Sequence, residues 1–138
     1  MERKPIHKLL RLADMDLAAA VYLESMTHPK PLEVICFHCQ QAVEKFLKVY
    51  LRNQSDDNPP KTHNLVDLCD LCQAYAPEFA DIKAACSKLT MYAVQTRYED
   101  GIELDEIDMT RALRYAAEIK SFPPLVELRE KLEQEDAQ

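Results

Sequence analysis

Glycine occurs once in 138 residues, at Gly101. Tight hairpin turns rely on residues that tolerate positive φ, and β-branched residues are scarce here beside Leu, Ala, Glu and Lys, so a sheet is not expected. The same scarcity removes glycine-rich phosphate cradles. There is no P-loop, no paired-carboxylate arrangement and no Ser/His/Asp set that can be placed on one site, so a bound nucleotide would have to be held by side chains. No apolar run approaches the roughly 20 residues that span a bilayer. The N-terminus MERKPIHK leads into an amphipathic pattern and not a signal-peptide core. These features predict a soluble, cytoplasmic protein without membrane association. Five cysteines are an odd number, and those inside helical patterns fall on the apolar sides, which suits buried thiols in a reducing compartment better than a disulfide framework. No low-complexity tract or internal repeat is present.

What the chain does have is helical periodicity. With 47% of its residues apolar, its length suits one domain with a real core. The segment 32–52, LEVICFHCQQAVEKFLKVYLR, is the longest uninterrupted pattern. At 3.6 residues per turn, Ile35, Cys36, Cys39, Ala42, Val43, Phe46, Leu47 and Tyr50 fall on one arc. A first helix is predicted over 5–27, with Pro5 in its first turn and a buried stripe of Ile6, Leu9, Leu10, Ala13, Leu17, Ala20 and Val21. The prolines of His28-Pro29-Lys30-Pro31 end it, and the short connection makes the second helix antiparallel to the first. The polar segment NQSDDNPPKTH at 53–63 reads as a mobile surface loop.

Asn64 is a suitable N-cap for a third, short helix, with Asp67 in its first turn and Leu65, Leu68, Cys69 and Cys72 inward. Pro77 and Glu78 restart a helix that carries Phe79, Ile82, Cys86, Leu89, Ala93 and Thr96 down to Arg97. Asp105 and Glu106 open another through Phe122, with Met109, Ala112, Leu113, Ala116 and Ile119 inward. After Pro123-Pro124 the remainder reads as a short amphipathic helix fading into a charged tail, frayed over 131–138, as 1–4 are at the other end. The expected architecture is all-α, an up-and-down antiparallel bundle of four long helices with one or two short extra helices, forming one domain over 1–138.

The net charge of -7, from 24 acidic and 17 basic residues, means that any polyanion site must be local. One candidate is the polar side of the second helix, where His38, Gln41, Lys45, Lys48 and Arg52 recur in steps of three and four. Cations one turn apart can meet successive anionic groups, although a solvated or dimer-facing surface explains the same pattern. Glu44 lies beside the stripe, within reach of Lys48 at i,i+4. Lys61 and His63 precede the third helix, and Arg97 with Tyr98 ends the fourth; helix capping and local ion pairs are the structural alternatives. Two C-x-x-C pairs, Cys36/Cys39 and Cys69/Cys72, have the spacing of structural zinc half-sites. Their places on apolar helix faces, without a glycine or turn between them, favour core packing.

The run CQQAVEKFLK at 39–48, then KTHNL at 61–65, then Tyr92 and RYED at 97–100, resembles the HEPN domain family, named for higher eukaryotes and prokaryotes nucleotide-binding. The resemblance spans the first helix through the fifth. It implies an all-α bundle that often dimerises, encoded beside a nucleotidyltransferase-like protein in two-gene modules of the toxin–antitoxin kind. Some such members are metal-independent RNases that use an Arg and a downstream His with four to six residues between them, a spacing that Arg3 to His7 and Arg52 to His63 also lack. Here Arg97 is followed by Tyr98, Glu99, Asp100, Gly101, Ile102, Glu103 and Leu104, so that motif is missing. The expectation is a nucleotide- or RNA-associated homodimeric module with a nucleotidyltransferase-like partner. Its tentative contact residues are Gln41, Lys45, Lys48, Arg52, Lys61, His63, Arg97 and Tyr98, with no cofactor, metal ligand or catalytic residue assigned. An RNase toxin with an atypical site around Arg97, or a non-catalytic dimeric scaffold, is the alternative.

Overall fold

The structure is a computed structural model that describes residues 3–55, 57–95 and 103–137, with the side chains of 93–95 left aside. Among these residues there are six α-helices and no strand. The first, α1, runs Lys4–Leu23, with Pro5 in its first turn. Ile6, Ala13, Leu17 and Ala20 are buried on its inner side. Val21, expected in that stripe, is instead 57% exposed. It is one residue past Ala20, and a 100° step carries it off the face that meets the bundle. The helix also stops short of Thr27, since the backbone after Leu23 passes into single turns such as Met26 N–H to Leu23 carbonyl at 3.0 Å.

α2, Leu32–Gln54, is the axis of the molecule, touching each of the other five helices. That position explains why its buried set covers a broad arc and includes two polar residues, Gln40 and Glu44, beside its apolar ones. It lies antiparallel to α1: Asp16 of α1 pairs with the middle of α2, and Arg3 with Asn53 near its end at 2.7 Å.

The segment after α2 reaches α3, Leu65–Gln73, through a cap made by Asn64, whose side chain accepts from the N–H groups of Val66 and Asp67 at 2.9 and 3.2 Å. Leu65, Leu68, Cys69 and Cys72 all point inward, as their spacing predicts. The stretch Pro77–Ile82 is a 3-10 helix and not the start of an α-helix. Phe79 and Ile82 are both buried, and a three-residue turn eclipses i with i+3, so this geometry sends both into the core. Phe79 packs between Tyr50 and Phe122, with ring centroids 4.7 and 5.1 Å away.

α4, Lys83–Gln95, adds Cys86, Leu89 and Tyr92 to the core. The inward places expected for Ala93 and Thr96, and the helix end at Arg97, lie outside the described residues. α5, Glu106–Lys120, opens on a capping box in which Asp105 accepts from the Asp108 N–H at 2.8 Å and Asp108 accepts from the Asp105 N–H at 3.1 Å. Its Met109, Ala112, Ala116 and Ile119 are buried, while Leu113 is half-buried against the core. α6, Pro123–Asp136, buries Leu125, Leu128 and Leu132. Where the sequence reads as fraying from 131, the helix continues through Asp136. Leu132 anchors it, and its last turn is tied to α1 by Glu135 with Arg3 and His7, each at 3.0 Å.

Candidate functional site

α2 is placed so that its polar edge runs along α1 on one side and the segment leading into α3 on the other. The side chains there form one connected network. At its α1 end, the Asp16 carboxylate accepts from Lys45 Nζ at 2.6 Å and from His38 Nδ1 at 3.0 Å. Lys45 also donates to Gln41 Oε1 at 3.4 Å, and Gln41 Nε2 donates to Gln40 Oε1 at 2.9 Å. Gln40 Nε2 in turn reaches the His63 carbonyl at 3.2 Å and Glu44 Oε1 at 3.5 Å.

Glu44 closes the other end. Its side chain is only 7% exposed, with Lys48 Nζ on Oε2 at 3.2 Å and His63 Nδ1 on Oε1 at 3.0 Å. A carboxylate accepts, so His63 donates through Nδ1, and Nε2 has no partner among the described residues. The two sequence segments at 39–48 and 61–65 thus meet through three residues, Gln40, Glu44 and His63. The i,i+4 pair expected between Glu44 and Lys48 is present, and in this low-exposure setting it holds the charge of Glu44 inside the fold and does more than decorate a surface.

Of the residues singled out on sequence grounds, Gln41, Lys45, Lys48 and His63 are brought together. Lys45 and Lys48 each have a carboxylate of their own, so their charge is largely neutralised within the chain. Arg52 is half-buried one turn past Lys48, and Lys61 is exposed on the connecting segment; neither forms an ion pair among the described residues. Arg97 and Tyr98 lie outside the described residues. The residue that the stripe argument left out is Asp16. Its signal was available: it lies beside Leu17 in the Ala13, Leu17, Ala20 register that faces α2, so an acid there meets the partner helix.

The cysteines belong to the core. Burial pushes the Cys36 and Cys39 thiols up to about 12, and the Cys72 and Cys86 thiols are also raised, Cys72 by burial and Cys86 first by its hydrogen bond with Cys69. That same bond leads the lowering at Cys69. Cys69 Sγ meets the Phe79 carbonyl at 3.2 Å and Cys72 Sγ the Leu47 carbonyl at 3.8 Å. Metal ligation needs thiolates converging on one point, and among the described residues no group of three or more His, Cys, Asp or Glu side chains is arranged to hold a metal ion.

No characterised protein and no solved structure matches the chain. The HEPN domain family matches it over residues 6–124, which takes in α1 from Ile6 onward, α2 through α5, the first residues of α6 and the whole polar network. The chain belongs to the HEPN domain family.

Proposed function

We propose that this HEPN domain is a nucleotide- or RNA-associated binding module, acting as a homodimer beside a nucleotidyltransferase-like protein in a pair of the toxin–antitoxin kind. The observation that carries the reading is family membership over residues 6–124. A binding role is favoured over RNA cleavage because no His follows Arg97 with four to six residues between them. The Gln40–Glu44–His63 linkage supports it by fixing the segment at 61–65 against α2, so that Arg52 and Lys61, which form no ion pair among the described residues, are offered from a rigid support.

Dimerisation is supported by apolar side chains at one end of the bundle. Tyr22 and Met26 at the end of α1, Val34 and Phe37 at the start of α2, and Ile107 at the start of α5 are all exposed. Ends of this kind expect a cover. The test of the binding role is a thermal and urea stability series with mononucleotides and short RNAs. A ligand at one hundred times its dissociation constant stabilises by about 2.7 kcal/mol, and no stabilisation by any of them overturns the reading. Sedimentation of wild type and of Tyr22→Glu with Phe37→Glu tests the dimer: a wild-type monomer removes it.

A further inference from the structure

A groove of about 790 Å³ runs between α1 and α6, away from the α2 network. Its α1 wall presents Lys4, Lys8 and Arg11, at i, i+4 and i+7 on one helix face, so their charges lie roughly 6 and 4.5 Å apart along the axis. All three are exposed, and none forms a hydrogen bond or ion pair among the described residues. Two other basic side chains of the groove are already engaged. Arg129 grips Asp14 with both arms of its guanidinium at 2.7 Å, and His7 lies between Glu135 and Asp136 at 3.0 and 3.2 Å. These pairs brace the groove and leave the charge of the α1 wall uncompensated.

That wall is also costly to the fold. Lys4 occupies the first turn of α1, where no acid stands, and a cation there opposes the helix dipole. Lys8 repels Lys4 at i,i+4 and Arg11 at i,i+3. Three like charges in an unfavourable place, on a protein of net charge -7, are an arrangement that folding alone does not reward. The opposite wall differs in sign: Glu133 forms no ion pair among the described residues. Between the walls, the part-exposed Pro5 and Leu10 give the groove apolar surface, with Leu132 buried beneath it.

We infer that the α1–α6 groove is a nucleotide-binding site. A nucleoside phosphate is the ligand whose parts match its three surfaces, with phosphate on Lys4, Lys8 and Arg11, ribose hydroxyls donating to Glu133, and the base on the apolar floor. The volume is in the range of small-molecule sites. The inference rests on the reading of the chain as a nucleotide- or RNA-associated module and moves the phosphate contact from α2 to α1. A free nucleotide and the terminal nucleotide of an RNA share this chemistry.

Calorimetric titration of the full chain with ADP, pyrophosphate and a 5′-phosphorylated RNA octamer tests it, using wild type, Lys8→Gln with Arg11→Gln, and Arg52→Gln with Lys61→Gln. Circular dichroism checks that each variant keeps its helices. ADP is expected to bind wild type more tightly than pyrophosphate, to weaken at least tenfold in the Lys8/Arg11 variant, and to weaken by a much smaller factor in the Arg52/Lys61 variant. Competition by the octamer then identifies an RNA end as the ligand, and its failure to compete identifies the free nucleotide. A second check is Glu133→Gln, which should erase the preference of wild type for ADP over its 2′,3′-dideoxy form. ADP binding that is unchanged in the Lys8/Arg11 variant, or lost only in the Arg52/Lys61 variant, overturns the groove assignment while leaving the binding module intact. Failure of wild type to bind any of the three probes overturns both.

Discussion

α1 and α2 each carry a row of cations spaced by one helical turn, and the two rows have opposite fates. On α2, Lys45 and Lys48 find Asp16 and Glu44, and the row becomes part of an internal network. On α1, Lys4, Lys8 and Arg11 face an open groove and find no acid among the described residues. Helical spacing alone therefore does not distinguish a structural row from an available one. What decides is the charge that the neighbouring element brings across: α1 supplies Asp16 to α2, whereas α6 engages Glu135 and Asp136 with His7 and Arg3 and holds Glu133, without an ion pair among the described residues, on the far wall.

If this contrast is right, the largest loss of stability comes from the network of α2. Glu44→Ala leaves Gln40, Lys48 and His63 facing a vacated, nearly buried position, and urea denaturation should show a loss of about 3 kcal/mol. Glu44→Gln, which keeps shape and acceptor but removes charge, should lose less. Equal losses in both would mean that charge pairing contributes nothing there. Next is the brace of the groove. Arg129→Met removes a two-armed, charge-assisted contact from Asp14, and a loss of about 1–2 kcal/mol is expected in the same assay.

This brace also has a pH signature. Burial pushes the Asp14 carboxyl up, but the hydrogen bonds and charge of Arg129, together with Lys120, outweigh it and hold the group below its ordinary value of 3.8. A lowered folded-state value means that the contribution is fully present above the unfolded value and disappears as pH falls through the folded one. The stability difference between wild type and Asp14→Asn should therefore be constant at neutral pH and shrink only below about pH 4. A difference that shrinks between pH 5 and 7 would contradict the assignment.

Asp16→Asn sharpens the contrast from the other side. It should cost about 1 kcal/mol, the scale of a part-exposed pair, while releasing Lys45 and His38. If pairing is what keeps the α2 row from external anions, the variant should gain affinity for pyrophosphate that wild type lacks at that site. Titration with Lys45→Gln added to the variant locates the gain.

Sequence reasoning reached the helices where capping and periodicity act within a few residues. Asn64, the helix start at Asp105 and Glu106 and the apolar arc of α2 are local signals, and the structure follows them. It went astray where the outcome depended on what lies across the bundle. Val21 reads as core by hydrophobicity alone, yet it is exposed. The 131–138 segment reads as a charged tail because Arg3 and His7, which hold its last turn, come from the other end of the chain. The site follows the same rule. Gln41, Lys45 and Lys48 share a helix face that spacing alone reveals, whereas His63 joins them from another segment and Asp16 is 29 residues from Lys45. The α1 row has no visible cavity in the sequence because α6, the wall that makes one, reads only as a short amphipathic helix fading into a charged tail.

The smallest expected effect has the most discriminating sign. In a row without acidic partners, removing one charge relieves repulsion, so Lys8→Gln should raise stability by about 0.3 kcal/mol. The corresponding change on α2, Lys48→Gln, should lower it, because Glu44 then loses a cation within a nearly buried setting. Added salt should close the gap on α1, where the charges are exposed and screened over roughly 8–10 Å, and leave most of the loss on α2. Lys8→Gln that destabilises would mean that α1 has a compensating acid and that the two rows differ in degree only. A stabilising Lys8→Gln that also weakens ADP binding would show that α1 keeps, for a ligand, a charge its own fold does better without.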